Sequence, residues 1–456
     1  MSEKEFSRRD FLRYNSVAGL GLLLPGGLSS SPLNNMSMST DKPALLGGKP
    51  VFDREWPKWP QWIPEEDEKA VIDVLRSGVW SRKNVVTEFE NKWAAIVGAK
   101  RCLAVVNGTN ALVVSLIENN IGAGDEVLIA TYTFIATPVS VLTVGAMPVF
   151  VDTDPETFQI DVSKIEQKIT PRTKAIMPVH LAGLPADMDA IMKIAAKHKL
   201  IVIEDACQAH LAEYNNKKVG TIGHAGCFSF QNSKNLPIGE GGAIVSDDEA
   251  FIDRCFAYHN FGNGFGSVKP RKNESGVLIR GNKLRLTEYQ AAIGLSQIKR
   301  LEEQTKRRTE SADLLRSELP KIPGIIPVKL EKGVTRGAYH LFPFRYKKEE
   351  FNGMPRSRFM EALNAEGVTC YGGYEPLNTM PYLEDTFKSK NFIRSYSKEA
   401  LDIARYRQRN MCPENDKLCQ EAVWLPQYVL LADKPEITKI VEAIHKIYVN
   451  AKKLNQ

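Results

Sequence analysis

Cysteine is scarce in this chain. Its 456 residues hold seven cysteines, an odd number with no C-x-x-C spacing, which argues against a disulfide scaffold or a paired-cysteine metal site. The seven histidines show no metal-ligand spacing either, so no metal is expected. Charge of one sign is also in short supply. Sixty Lys+Arg against 54 Asp+Glu leave a surplus of +6, part of it in the first nine residues, and no long basic run follows. That balance gives nucleic-acid binding no footing. No apolar run approaches the roughly 20 residues of a membrane-spanning helix. Gly and Pro stay near ordinary usage and a quarter of the residues are charged, which excludes collagen-like and wholly disordered chains. What is present is 43% apolar residues over a length that allows about two or three domains. A medium-large globular enzyme is the expectation.

The first forty residues stand apart. Ser7-Arg8-Arg9-Asp10-Phe11-Leu12-Arg13 precedes an apolar stretch from Val17 to Leu24, then Pro25-Gly26-Gly27 and a run of serines. A charged stretch, a short apolar run and small residues are the layout of an export signal. Paired arginines before Phe-Leu resemble the twin-arginine signal, which sends folded proteins across a membrane, here to the periplasm. The alternative is an unstructured tail on a cytoplasmic protein. No A-x-A cleavage site follows, and no stable membrane anchor is expected. A protein that captures a cofactor while folding benefits from export in the folded state.

From about residue 100 to 260, short apolar runs alternate with helix-like segments. Cys102–Val106, Glu126–Ala130, Pro148–Asp152, Ala175–Val179, Leu200–Glu204, Gly226–Phe230 and Ala243–Asp247 have strand length. Ala111–Glu118, Ala136–Val144 and Met188–His198 read as helices between them. The alternation predicts an α/β fold with a mainly parallel central sheet and helices on both faces. Thr287–Thr309 is a long charged helix former that leads out of this region. Beyond it His340–Tyr346, Arg356–Glu366 and Val368–Tyr371 mark a smaller C-terminal α/β domain. The expected organisation is a signal and linker over 1–40, an N-terminal arm and large domain over 41–310, and the small domain over 311–456. Trp56-Pro57-Lys58-Trp59-Pro60-Gln61-Trp62 reads as an extended arm that packs on another surface.

Open parallel sheets bind ligands beyond the carboxyl ends of their strands, and the unusual polar residues collect there. Asn107-Gly108-Thr109 follows the first strand and opens a helix. Backbone N–H groups at such a place hold a phosphate, or Asn107 or Thr109 simply caps the helix. Tyr132-Thr133-Phe134 puts an aromatic at the rim, to stack on a flat ring or to join the core. Glu204 and Asp205 end the fifth strand as adjacent carboxylates, one facing the crevice and one turned away. A buried carboxylate needs a cationic partner. Ser229 ends the sixth run, and Lys234 stands in the loop before Gly239-Glu240-Gly241-Gly242. A lysine beside a glycine-rich turn is ordinarily a solvated surface group. At the sheet edge that carries Asp205, it acquires a second reading. A lysine, an aspartate and a phosphate site together are what a pyridoxal 5'-phosphate enzyme needs. The lysine forms a Schiff base with the cofactor aldehyde and shuttles a proton, while the aspartate keeps the ring nitrogen protonated.

Longer motifs carry a resemblance. Gly124–Phe134, Gly183–Asp189, Ile203–His210, Gly226–Asn235 and Thr287–Ile293 stand in the order found in the DegT/StrS-type sugar aminotransferases, which are fold-type I pyridoxal phosphate enzymes. The chain resembles that family from about Leu45 to Ile447. The resemblance implies that Lys234 is the Schiff-base lysine, Asp205 the ring-nitrogen partner and Gln208 a neighbour of the ring hydroxyl. It places Phe134 on the ring and Gly108, Thr109 and Ser229 on the phosphate. A lysine rather than a histidine at 234 favours transamination over sugar 3-dehydration. In the family a loop from the neighbouring subunit reaches the phosphate, which implies a homodimer with a shared site. Here that loop, Gly281-Asn282-Lys283-Leu284-Arg285, departs from the common pattern and offers Lys283 or Arg285 instead. Phe228–Gly242, Gly373–Leu377 and Glu421–Gln427 look most like the cyclitol branch, which includes the glutamine:scyllo-inosose aminotransferases. The implied reaction is a two-stage, ping-pong transfer from L-glutamine or L-glutamate to a keto group of a cyclitol or sugar. Two rivals stand beside it: a dehydratase-like enzyme using the same cofactor, and a non-catalytic exported or regulatory member of the fold. His180, after the fourth strand, is expected at the rim against substrate or as a loop cap. His210 is expected near the cofactor floor, and His340 in the small domain.

Overall fold

The apolar runs of the first half pair edge to edge. In the computed structural model, which describes residues 41–271 and 276–456, they form β1 (Arg101–Val105), β2 (Glu126–Ala130), β3 (Met147–Val151), β4 (Thr173–Met177), β5 (Ile201–Asp205), β6 (Ala225–Ser229) and β7 (Gly242–Ser246). The expected twin-arginine segment lies outside the described residues. The sheet order is β1-β7-β6-β5-β4-β2-β3. Neighbours from β6 to β3 are parallel, and β7 alone runs antiparallel, against both β1 and β6. β2, β3, β6 and β7 are buried along their whole length, as strands covered on both faces must be.

Helix α1 (Pro64–Ser77) leads in, and α2 (Asn84–Val97), α3 (Gly108–Glu118), α4 (Ala136–Thr143), α5 (Met188–His198) and α6 (Glu249–His259) surround this sheet. Asn107, Asp187 and Asp248 start α3, α5 and α6 by accepting the backbone N–H of Asn110, Ala190 and Phe251. The long helix α7 (Glu288–Glu318) caps a neighbour instead: its Glu288 carboxylate accepts the N–H groups of Lys83, Val85 and Val86 at 2.6, 2.9 and 2.9 Å, at the start of α2. Strand alternation then divides the core. Val202, Phe228 and Val245 pack with Phe89 and Trp93 of α2 and with α5 and α7. Ile203, Cys227 and Ile244 pack with α3, α4 and α6.

A second, antiparallel sheet follows, built from β8 (Ile325–Pro327), β9 (Leu341–Tyr346), β10 (Tyr371–Gly372) and β11 (Ala422–Pro426) in the order β8-β9-β11-β10. The strand expected over Val368–Tyr371 pairs only at Tyr371–Gly372, although Val368 and Cys370 are buried. Between β10 and β11 the chain returns to the first sheet. Leu377, Leu383, Phe387, Phe392 and Tyr406 join its core, and the Tyr406 hydroxyl donates to the Pro148 carbonyl at 2.6 Å. The tryptophan arm does pack. Trp56 stacks on Phe52 with ring centres 4.0 Å apart and donates to the Gly367 carbonyl at 2.8 Å, while the guanidinium of Arg308 lies 5.1 Å from the Trp59 ring.

Candidate active site

The carboxyl ends of β5 and β6 lie side by side, with Asp205 opposite Cys227. Asp205 is buried and points to the α4 side of the sheet. Its Oδ2 accepts the Thr137 hydroxyl at 2.9 Å and its Oδ1 accepts the Cys207 N–H at 3.2 Å. Thr137 in turn lies 2.9 Å from the Thr133 hydroxyl, so a chain of three polar groups fixes the carboxylate from the β2 loop. Three residues on from Asp205, the Gln208 carboxamide accepts the Ala182 N–H at 2.8 Å and donates to the Tyr374 hydroxyl at 3.0 Å.

The start of α3 lies next to this carboxylate, with Gly108 against Cys207. Gly242, first residue of β7, stands between Val105 and Ser229 in the sheet register. Any Cβ on Gly242 would fall 2.6 Å from the Gly108 nitrogen, and one on Gly108 would fall 2.8 Å from the Ser229 Cβ and 2.7 Å from the Cys207 Sγ. Glycine at both positions lets the first turn of α3 press against the end of β6. Asn107 caps that turn with its own side chain, and Gly108 and Thr109 bring the positive end of the helix to the same place as Ser229.

Lys234 stands in the loop that bridges β6 and β7, closed by the bond from the Phe230 N–H to the Gly241 carbonyl at 2.8 Å. Its neighbour Asn235 is buried and anchored to the Ala338 carbonyl at 2.8 Å. Lys234 itself is half-buried. Burial pushes its amine below the ordinary lysine range, while Cys207 and Asp205, both within electrostatic reach, pull the other way. Two histidines share its surroundings. His210 is enclosed by Trp93, Phe228 and Phe230 and bonded through Nε2 to the Ser229 carbonyl at 2.8 Å. Burial, with Lys234 adding to it, drives His210 down to about 3. His340, just before β9, is held well below its ordinary value by burial and by Lys234 and His210. The second sheet therefore contributes a side chain to the region of the lysine. Phe134 is 54% exposed at the opening, beside the Tyr374 ring.

Of the two roles expected for His180, the structure shows the loop cap and not the place against substrate. His180 does not face the crevice. Its backbone pairs with the end of β5, the N–H donating to the Asp205 carbonyl at 3.1 Å, so its side chain falls on the Glu204 face. The ring is fully buried, with Nε2 2.9 Å from a Glu204 oxygen and Nδ1 accepting the Ala186 N–H at 3.2 Å. Both nitrogens are occupied, which leaves none for substrate. Lys283 is exposed, and its loop hydrogen-bonds back to β1 and α6 through Leu284, at 3.1 Å to the Val106 N–H and 3.0 Å to the His259 carbonyl. Arg285, half-buried, acts electrostatically on His259.

These groups suit pyridoxal phosphate. Glycines at 108 and 242 let a helix N-terminus pack against the end of β6, a strand-end carboxylate is oriented by two donors, and a lysine lies within electrostatic reach of that carboxylate. Sequence reasoning missed Thr137 and Tyr374 as the partners of Asp205 and Gln208. Thr133 and Thr137, four residues apart on either side of the start of α4, carried a faint signal; Tyr374, from a distant part of the chain, carried none.

Residues 61–445 match the DegT/DnrJ/EryC1/StrS aminotransferase family. The chain is 34% identical over 424 residues to the L-glutamine:2-deoxy-scyllo-inosose aminotransferase of Micromonospora echinospora, covering 90% of this chain and 99% of that one. It is 33% identical over 428 residues to the L-glutamine:scyllo-inosose aminotransferase of Streptomyces griseus, covering 91% and 99%. Among solved structures, 3-amino-5-hydroxybenzoic acid synthase aligns with a TM-score of 0.75 at 32% identity, over 88% of this chain and 99% of that one.

Proposed function

The chain belongs to the DegT/DnrJ/EryC1/StrS aminotransferase family, and on that premise we propose that it moves an amino group from L-glutamine or L-glutamate to the ring ketone of a cyclitol or a related keto sugar. It is a pyridoxal phosphate-dependent aminotransferase. The observation that carries the reading is a half-buried Lys234 in electrostatic reach of Asp205, beside a glycine-opened helix. The donor and acceptor class are supported by the named relatives.

When bound, the cofactor supplies an electron sink for negative charge that develops on a substrate carbon. Asp205, with one oxygen held by Thr137 and the other by the Cys207 N–H, is oriented to keep the ring nitrogen protonated. Lys234 would hold the cofactor through its amine, and that amine, when free, would take up and hand on the proton that leaves the substrate carbon. An amine whose proton affinity is lowered by burial can release that proton as well as accept it. Gly108, Thr109 and Ser229 would hold the phosphate, Gln208 would lie near the ring hydroxyl, and Phe134 would cover one face of the ring. Replacing Lys234 with Ala is expected to abolish both turnover and the visible absorbance of the purified protein. An unchanged spectrum in that variant would sink the assignment.

Two further parts of the reading concern assembly and location. Two copies share each site, Lys283 or Arg285 of one reaching the phosphate bound by the other. The exposure of Trp80 (54%) and Phe261 (47%) in the single chain supports a covering partner. The arginine pair at 8 and 9 supports export of the folded, loaded enzyme, and with it a free cyclitol or sugar as acceptor rather than a nucleotide sugar. Sedimentation of the purified chain and fractionation of tagged cells test both. A monomer, or a purely cytosolic protein, would remove the corresponding part.

A further inference from the structure

Two adjacent arginines on α7 have opposite surroundings. Arg307 is partly exposed and pairs with Asp433. Arg308 is fully enclosed, and among the described residues no carboxylate pairs with it. Its Nε donates to the Oε1 of Gln427, just past β11, at 2.8 Å, while Nη1 and Nη2 have no hydrogen-bond partner. Other guanidiniums with little exposure are matched by charge: Arg82 by Glu90, Arg300 by Asp67 and Arg345 by Glu421. The unmatched atoms around Arg308 are of one kind. Nε2 of Gln427 is buried without an acceptor, and so is the indole Nε1 of Trp59, whose ring lies 5.1 Å from the guanidinium. Burial pulls the guanidinium down to about 9, which still leaves it charged at neutral pH. An enclosed charge without a counter-charge is costly. Donors that face no acceptor around a cation call for a negative ligand, since a water must also find partners for its own protons.

We infer that Arg308 and the Gln427 carboxamide form an enclosed binding site for one small monovalent anion of the chemistry of chloride, covered by Trp59 of the N-terminal arm. Enclosure sets the class of ligand. A substrate carboxylate that enters and leaves at each turnover does not suit a fully buried guanidinium, whereas an ion captured as the arm packs on α7 does. The Thr309 hydroxyl, one residue on, donates to the Gly337 carbonyl at 2.9 Å and ties this part of α7 to the segment leading to His340. Arg308 acts electrostatically on both His340 and His210. The anion is therefore a counter-ion that lets the arm, α7 and the second sheet close over a charge, and it screens that charge from the two histidines that share the surroundings of Lys234.

The test uses the purified, cofactor-loaded chain. Crystals soaked in bromide are expected to show one anomalous peak per chain in contact with the Nη atoms of Arg308. A peak there without anomalous signal is a water, and bromide found only elsewhere is an adventitious ion; either result overturns the inference. In solution, urea midpoints are compared in sodium chloride and in sodium gluconate at equal concentration, gluconate being too large for the site. Chloride at about 0.2 M is expected to raise the midpoint by about 0.3 M urea. Equal midpoints beside a bromide peak mean binding at crystal concentration only, and overturn the inference as well. Arg308→Met is expected to lose both the peak and the chloride response. Gln427→Glu gives the answer if Arg308→Met does not fold, because it supplies a carboxylate at the guanidinium and is expected to make the protein indifferent to chloride. A chloride response kept in either variant arises elsewhere and overturns the assignment.

Discussion

Glu204 and Asp205 are adjacent on β5, and strand alternation sends them to opposite faces of one sheet. Glu204 is enclosed. It accepts the N–H groups of Gly220, Ile222 and Gly223 at 2.7, 2.7 and 2.6 Å and is completed by His180 at 2.9 Å. Burial works against its charge, but His180 and the backbone donors outweigh burial and hold its carboxyl below the ordinary range. Asp205 has two donors where Glu204 has four, and its environment opens toward Lys234. The contrast shows how one strand serves structure and chemistry with the same functional group. A carboxylate whose lone pairs are all filled by its own chain holds a fold together. One left with spare acceptor capacity at a strand end can hold a proton on something else.

Exchanging the two losses is the strongest way to break this comparison. Asp205→Ala is expected to lower turnover by about 10²–10³-fold, the usual cost of deleting one preorganised charge from an active site, with a smaller loss of stability. Glu204→Ala is expected to do the reverse. It leaves His180 and three backbone donors unpaired in a closed interior, costing about 3–5 kcal/mol of folding stability, while the molecules that fold keep near-normal turnover. Steady-state rates per folded molecule, set beside urea denaturation, separate the two. A Glu204 variant that is stable but inactive, or an Asp205 variant that turns over normally, would erase the distinction.

The same contrast explains what the sequence could announce. Most strands of the large sheet are covered on both faces along nearly all their length, so they had to be written as largely apolar runs, and all seven lie within two residues of where those runs predict them. The residues at strand ends were legible for a related reason: polar groups such as Asp205 and Ser229 interrupt such runs only where the sheet stops. What stayed hidden depends on contacts between distant segments. His180 is a strand-end polar residue too, and nothing local reveals that its backbone pairs beside Asp205 and so turns its ring to the closed face. Tyr374 meets Gln208 across 166 residues of chain. The return of Leu377–Tyr406 to the first sheet is invisible for the same reason, because an apolar helix face does not state which sheet it will cover.

A smaller effect sharpens the comparison from the enclosed side. His210 is packed against Trp93 and Phe228 on the closed face and stays neutral down to about pH 3. In the unfolded chain an ordinary histidine takes a proton near pH 6.5. Between those values the unfolded state binds a proton that the folded state refuses, so stability falls as pH drops through this window, by up to about 1.4 kcal/mol per pH unit for each such group. His259, held at about 4 chiefly by burial, adds to the same limb. Glu126 adds a separate one. Burial opposes its charge, but Arg409, Thr170 and Arg172 hold it at about 2, and its contribution is present above the ordinary glutamate value near 4.3 and fades as pH falls toward 2. Urea midpoints measured from pH 7 to 3 are therefore expected to decline in two stages, the first beginning near pH 6.5. His210→Phe should shallow the first stage and leave the second in place, since it deletes a buried proton acceptor without touching the carboxylate. A profile flat from pH 6.5 to 5 would mean that these buried imidazoles are reached by water. The enclosure that distinguishes Glu204 from Asp205 would then not extend to the floor beneath Lys234.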